Sequence, residues 1–202
     1  NPDSPRYLRK KELSIDIESV LNRLQSMAPF TESQLVDFFE NEFTSERYQT
    51  RKLTKVFEVV QGVQFSKRDA YLHPGSTPVF TAATNGPAYY VDETIPNKVK
   101  VKGPSLIWSR KGAKAGTIQL FEQNNYFFVS DVSGTIRPRE EINIYSLTFF
   151  RYYIAGQVKR ELQSKSNNAQ LNKSKLENLP IYLPDNAEEI GEFIRCHVAQ
   201  GT

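Results

Sequence analysis

Three cations in a glycine-bearing loop are the most chemically suggestive feature of this sequence. From Gly103 to Gly116 it reads GPSLIWSRKGAKAG, an apolar strand running into a loop that carries Arg110, Lys111 and Lys114. Gly112 and Gly116 let a backbone approach a partner closely or take positive φ. The cations suit a polyanion, since each can neutralise a phosphate and the Arg110 fork can also reach a base edge. No acid occurs between Lys98 and Gly116. The plainer reading is a solvated basic hairpin, because charge runs usually face water.

Other reactive residues are spaced less suggestively. His73 and His197 are too far apart in sequence to indicate a metal pair by spacing. Cys196 and His197 are neighbours, but consecutive helical side chains diverge by about 100°, so they do not form a thiol–imidazole pair. Cys196 stands alone and is expected to pack, with no disulfide framework and no cysteine zinc site. Glu140–Glu141 and Glu188–Glu189 are adjacent and point apart, as solvated acids do. No Asp or Glu is followed at plus two by Lys, so the usual carboxylate–lysine signature of a metal-dependent nuclease is missing. No Asp-Pro-Pro-Tyr tetrapeptide or Gly-rich nucleotide turn occurs either.

The chain that must position these residues has 202 of them, enough for one full core with a small attachment. It is 39% hydrophobic, 12% aromatic and 24% charged, the composition of a folded protein rather than a disordered one. A net charge of +3 permits a polyanionic partner without demanding one, since clustering matters more than the sum. No apolar run approaches the roughly 20 residues of a membrane span and no signal-peptide pattern opens the chain, so a cytoplasmic setting without membrane attachment is expected.

The elements follow from periodicity and punctuation. Ser14 starts a helix with Ile17, Val20, Leu21 and Leu24 on one face, ending before Ala28-Pro29. Thr31 with Gln34 makes a capping box for a second helix over 32–43, whose acidic outer side makes it a packing or docking element rather than a phosphate surface. From Lys52 the pattern is β-rich: a strand from Leu53 to Val60 stopping at Gly62, then 77–81, 88–91, 105–109, 117–121 and 126–137. A long helix over 145–162, a Ser/Asn/Lys-rich loop, a short helix or turn near 173–178 and a last helix over 186–198 complete the chain. The fold class is α+β, with a helical segment over 1–47 and a compact β-rich domain over 48–202.

The ordered segments RKLTKVFEVVQG, GSTPVF, NGPAYYVDET, GPSLIWSRKGAKAG, FFVSDVSGTI and LNKSKLENLPIYLP resemble the target-recognition domain of type I restriction-modification specificity subunits. The likeness spans Arg51 to Pro184, and its strength lies in the order of weak motifs. A complete subunit of that family carries two such domains and long spacer helices. One domain here fits either a half-size subunit or the C-terminal recognition part of a longer single-chain enzyme, and the start at Asn1 favours the second.

The resemblance implies a non-catalytic chain that reads one half-site of double-stranded DNA and directs an adenine methyltransferase and restriction partner. S-adenosylmethionine and Mg²⁺ are then expected only in that partner domain or subunit, with no cofactor in this chain, and a homodimer is compatible with a half-size subunit. Candidate DNA contacts are Lys67 and Arg68 on a polar turn after Gly62; Asn85, Tyr89 and neighbouring Thr84 and Tyr90; Arg110, Lys111 and Lys114; and the tip Lys165, Ser166, Asn167 and Asn168. Arg and Asn can read base edges while Lys and Ser more often hold phosphates. Strand alternation should bury at least one of Tyr89 and Tyr90. The competing class is a protein-docking module using the Phe38, Phe39 and Phe43 stripe.

Overall fold

The computed structural model describes residues 20–43, 50–81, 86–111, 114–163 and 170–198. Thr84, Asn85, Gly112, Lys165, Ser166, Asn167 and Asn168 therefore lie outside the described residues. Ser14 and Ile17 of the expected first helix also lie outside the described residues, in which the elements are helix α1 (residues 20–27) and α2 (Glu32–Glu42), then β1 (Arg51–Lys52), a 3-10 turn (Leu53–Lys55) and β2 (Phe57–Gln61). Helix α3 (Lys67–Leu72) precedes β3 (Pro74–Phe80), β4 (Tyr89–Val91), β5 (Lys100–Lys102), β6 (Ser105–Ser109), β7 (Ile118–Phe121), β8 (Tyr126–Val129) and β9 (Ser133–Pro138). After them come α4 (Ile144–Gln163), α5 (Lys173–Glu177), β10 (Pro180–Ile181) and α6 (Ala187–His197).

The strands form two four-stranded sheets and a small two-stranded pair. The first sheet, ordered β2-β9-β6-β7, is antiparallel throughout. The second, β4-β3-β8-β5, is antiparallel except where β3 runs parallel to β8. Sheet one lies in the middle. One face carries Leu106, Trp108 and Ile136 into the helical core with Phe149, Phe150 and Tyr153, while the other brings Ile107 and Phe121 against Phe80, Phe127 and Val129 of sheet two. Covered on both sides, β6 is buried along its whole length, which explains its nearly unbroken apolar run. Sheet two's outer face packs Val79, Val91 and Phe128 against Phe65, Ile95 and Ala70 of α3.

The helical pair belongs to this body. Val20, Leu24, Leu35, Phe39 and Phe43 share one core cluster with the α4 aromatics and with Ile190 and Ile194 of α6. Phe39 meets Phe149 edge-on at 5.6 Å, and Phe43 meets Tyr153 at 5.2 Å. The acidic side of α2 is neutralised by α4: Arg151 pairs with Glu32 at 2.7 Å and Lys159 with Asp37 and Glu40 at 2.5 and 2.9 Å. α2 is thus packed into the core through the aromatic stripe offered for docking. Phe39 and Phe43 are buried and Phe38 is partly buried against the same core.

Several sequence expectations need correcting. Leu53 to Lys55 turn as a 3-10 segment, so the first long strand begins at Phe57. The stretch 126–137 divides at Ser130–Val132 into β8 and β9, which enter different sheets. Lys67 and Arg68 stand in the first turn of α3, where Ser66 and Asp69 form a reciprocal capping box. Cys196 is exposed rather than packed, because Ala187, Ile190, Gly191 and Ile194 take the buried stripe of α6.

Candidate nucleic-acid interface

Strand direction brings the described flanks of the Thr84–Asn85 loop and of the basic loop to one end of the two-sheet body. β2, β3, β6 and β8 finish there, and β4, β7 and β9 begin there, as their registers require. Hydrogen bonds join the loop bases across this rim. The Ser130 N–H donates to the Phe80 carbonyl at 3.0 Å and its hydroxyl to Thr81 at 3.1 Å. The Gly62 N–H reaches Ser133 at 3.1 Å, the Arg110 N–H reaches Val132 at 2.9 Å, and the Leu171 N–H reaches the Arg110 carbonyl at 3.2 Å. The flanks of the Thr84–Asn85 loop, the basic loop and the Lys165–Asn168 tip thus rest on one connected frame.

Within the basic loop the cations are placed differently. Arg110 is half-buried, and its guanidinium donates to the Asp131 carbonyl at 3.3 Å, bracing the β6–β7 loop against the β8–β9 turn. Lys111 is exposed at the rim. Lys114 is also exposed and lines a groove of 640 Å³ that runs toward Ser33 and Asp37 of α2 and Tyr152 of α4. Gly116 adopts φ 88°, the left-handed conformation that favours glycine, and its N–H closes onto the Ser109 carbonyl at 2.9 Å.

Lys67 and Arg68 are exposed on α3, which leaves the rim soon after Val63 bridges to Ser130. Asp69 between them and the core is occupied. The Ser66 N–H, the Lys98 ammonium and the Ser66 hydroxyl all donate to its carboxylate and hold its pKa down at about 2. Lys98 also donates to the Gln64 carbonyl at 2.8 Å and lies 4.7 Å above the Phe65 ring. Tyr89 is half-buried and stacks on Phe65 at 6.3 Å, while Tyr90 is exposed. Strand alternation sends the two tyrosines to opposite sides, but neither is buried outright: Tyr89 packs only partly against the core.

Sequence reasoning missed a polar wall. Gln123, Asn124, Asn125 and Tyr126 line a cleft of 890 Å³ with Tyr90, Ser76 and Lys102, where the β7 edge leaves the inner face of sheet two uncovered. The Gln-Asn-Asn run between two strands was the available signal. Its neighbouring acids are paired, Glu122 with Arg195 at 2.8 Å and Glu93 with Lys100 at 3.1 Å. Among the described residues no three His, Cys, Asp or Glu side chains gather as a metal site, and no helix is long and apolar enough to cross a membrane.

The fold is similar to those of solved specificity subunits. The HsdS subunit from Thermoanaerobacter tengcongensis superposes with a TM-score of 0.55 at 14% identity, covering 95% of this chain and 45% of that one. The type I restriction-modification S subunit from M. genitalium gives 0.57 at 16% identity, covering 94% and 54%. A chain from a study of complex assembly and conformational transition in the type I system gives 0.58 at 16%, covering 95% and 46%. This chain therefore spans about half the length of those subunits. Comparison with curated proteins by sequence finds no match. The model of the type I restriction modification DNA specificity domain matches residues 45–199, more than half of the chain, which belongs to that family.

Proposed function

We propose that the chain reads the base sequence of one half-site in duplex DNA through the rim and presents that site to catalytic machinery carried elsewhere. The observation that carries this reading is the hydrogen-bonded frame that joins Thr81, Ser130, Val132, Arg110 and Leu171 at one end of the strands. Loops on a rigid scaffold are the usual carriers of recognition. Membership of a DNA specificity family supplies the ligand class. Lys111, Lys114, Lys67 and Arg68 hold phosphates in this scheme, and Asn85 with the Lys165–Asn168 tip supplies amide and hydroxyl groups for base edges.

The chemistry belongs to the partner: an adenine methyltransferase using S-adenosylmethionine and, for cleavage, a Mg²⁺-dependent restriction subunit or domain. This chain itself performs no catalysis, and the setting is cytoplasmic. A homodimer would bring two half-site readers to one duplex. Quantitative titration of duplex DNA against salt tests the reading. Replacing Lys111 and Lys114 together with alanine is expected to weaken binding and reduce the slope of log K against log salt by up to ~1.8, about 0.9 for each phosphate that is no longer neutralised. Unaltered affinity and slope would remove the basic loop from the interface.

A further inference from the structure

No candidate DNA contact lies on α5, yet its first turn is fastened to the rim. The Leu171 N–H donates to the Arg110 carbonyl at 3.2 Å, so the chain enters α5 from the base of the basic loop. Leu171 and Leu176 are buried and anchor the element from beneath, and α5 packs beside β2 and the 3-10 turn. The Asn172 carboxamide oxygen accepts the Lys175 N–H at 2.9 Å, and the Lys175 ammonium donates to the Gln170 carbonyl at 2.7 Å. Further along, the Asn178 amide donates to the Ser174 carbonyl at 2.9 Å and is itself held by the Lys52 ammonium at 2.9 Å. Asn172, Lys173 and Ser174 are left exposed on a firmly held turn. Glu177 lies 3.6 Å from Lys173, but both side chains are well exposed, and a solvated pair of this kind holds an ammonium only weakly.

We infer that Lys173 is a further phosphate contact, holding the duplex backbone on one wall of the groove whose other wall Lys111 holds, with Arg110 between them. The inference rests on the rim reading and deepens it, because it sets how the duplex lies across the loops. Connectivity supplies the spacing. Lys111 adjoins Arg110, Arg110 is bonded to Leu171, and Lys173 follows two residues later, which keeps the two lysine Cα atoms within about 17 Å of each other. The major groove of DNA is about 12 Å wide, so cations at that spacing fit phosphates on its opposite walls. Lys111 and Lys173 are both exposed, and the rim fastening at Leu171 brings α5 to the same end of the strands as the basic loop. A phosphate contact carries no sequence information, so Lys173 supplies affinity and register while the choice of bases stays with the loops.

The test uses the full chain and a duplex that it selects from a randomised pool, read by phosphate ethylation interference and by titration against salt. With the wild-type chain, ethylation should block binding at phosphates on both walls of one groove. Lys173→Ala should keep the melting temperature and the selected base preference, lose the interference on one wall only, bind roughly three- to tenfold less tightly, and reduce the salt slope by up to ~0.9. Lys173→Arg should restore both affinity and slope, and Glu177→Gln, which frees the ammonium, should tighten binding about twofold. Wild-type affinity, slope and interference in Lys173→Ala overturn the clamp, and they leave the rim intact if Lys111→Ala still lowers the slope. Weaker binding with an unchanged slope and interference pattern overturns it as well, since that marks a purely structural role for α5. If the wild-type chain selects no duplex at all, the rim reading itself fails and the clamp with it.

Discussion

Asp69 is a surface carboxylate that fixes the position of α3. It accepts from the Ser66 backbone at 2.8 Å and from Lys98 at 3.0 Å, so its charged form is favoured and its pKa falls from 3.8 to about 2. A depressed carboxyl pKa adds stability above the unfolded value and loses it as pH falls through the folded one. The capping contribution is therefore complete above about pH 4 and disappears toward pH 2. Carboxyl carbon shifts followed by NMR should titrate with a midpoint near 2 for Asp69; a midpoint near the ordinary 3.8 would mean that the clamp does not form. Tyr153 tells a similar story in the core. Its hydroxyl accepts the Tyr182 N–H at 2.7 Å, and burial pushes its pKa up to about 12. Tyr153→Phe removes that buried hydrogen bond and should cost about 0.5–1.5 kcal/mol in urea unfolding. The Lys98–Asp69 and Tyr153–Tyr182 partnerships are not visible in sequence, because the residues that meet are brought together only by the fold. Arg110 illustrates the same limit: its type fits a base reader, yet its guanidinium also ties two loops together.

At the scale of elements, helix packing depends on close backbone approach. A methyl group on Gly156 would sit 2.6 Å from the Glu40 nitrogen, and one on Gly191 would overlap the Tyr145 carbonyl. Gly→Ala in an exposed helix stabilises by up to about 1 kcal/mol, whereas Gly156→Ala should destabilise by about 1–3 kcal/mol as α2 is pushed off α4. A rise in stability on denaturant unfolding would show that the two helices are not in contact there. Long periodic elements were legible in the sequence: the Thr31–Gln34 capping box announced α2, and Leu147, Phe150, Ile154 and Val158 announced α4. α3 was not, because six residues give too little periodicity and its cap pairs Ser66 with Asp rather than the usual Glu or Gln. The sequence pattern reads the stretch 126–137 as one strand, although it breaks into β8 and β9. Ser130 and Asp131 have turn chemistry, but the sequence does not show that the strands on either side of them enter different sheets.

For the whole molecule, the layered order of helices, sheet one, sheet two and α3 sets the flanks of the basic loop, Arg110, Lys111 and Lys114, at one end of the strands. The order of motifs made the family and the α+β class legible, since the described parts of the motifs form strands and turns and, at Lys173–Glu177, helix α5. Which cations face outward was not legible, because exposure within a loop depends on what its base is tied to. Photo-crosslinking from defined positions tests the placement of the interface most directly. With benzoylphenylalanine at Lys111 on the rim, and separately at Asn124 in the turn between β7 and β8 at the other end of the strands, duplex DNA should be captured from the first position and not from the second. Efficient capture from Asn124 with none from Lys111 would place the DNA on the wrong side of the molecule and contradict the rim as the reading surface.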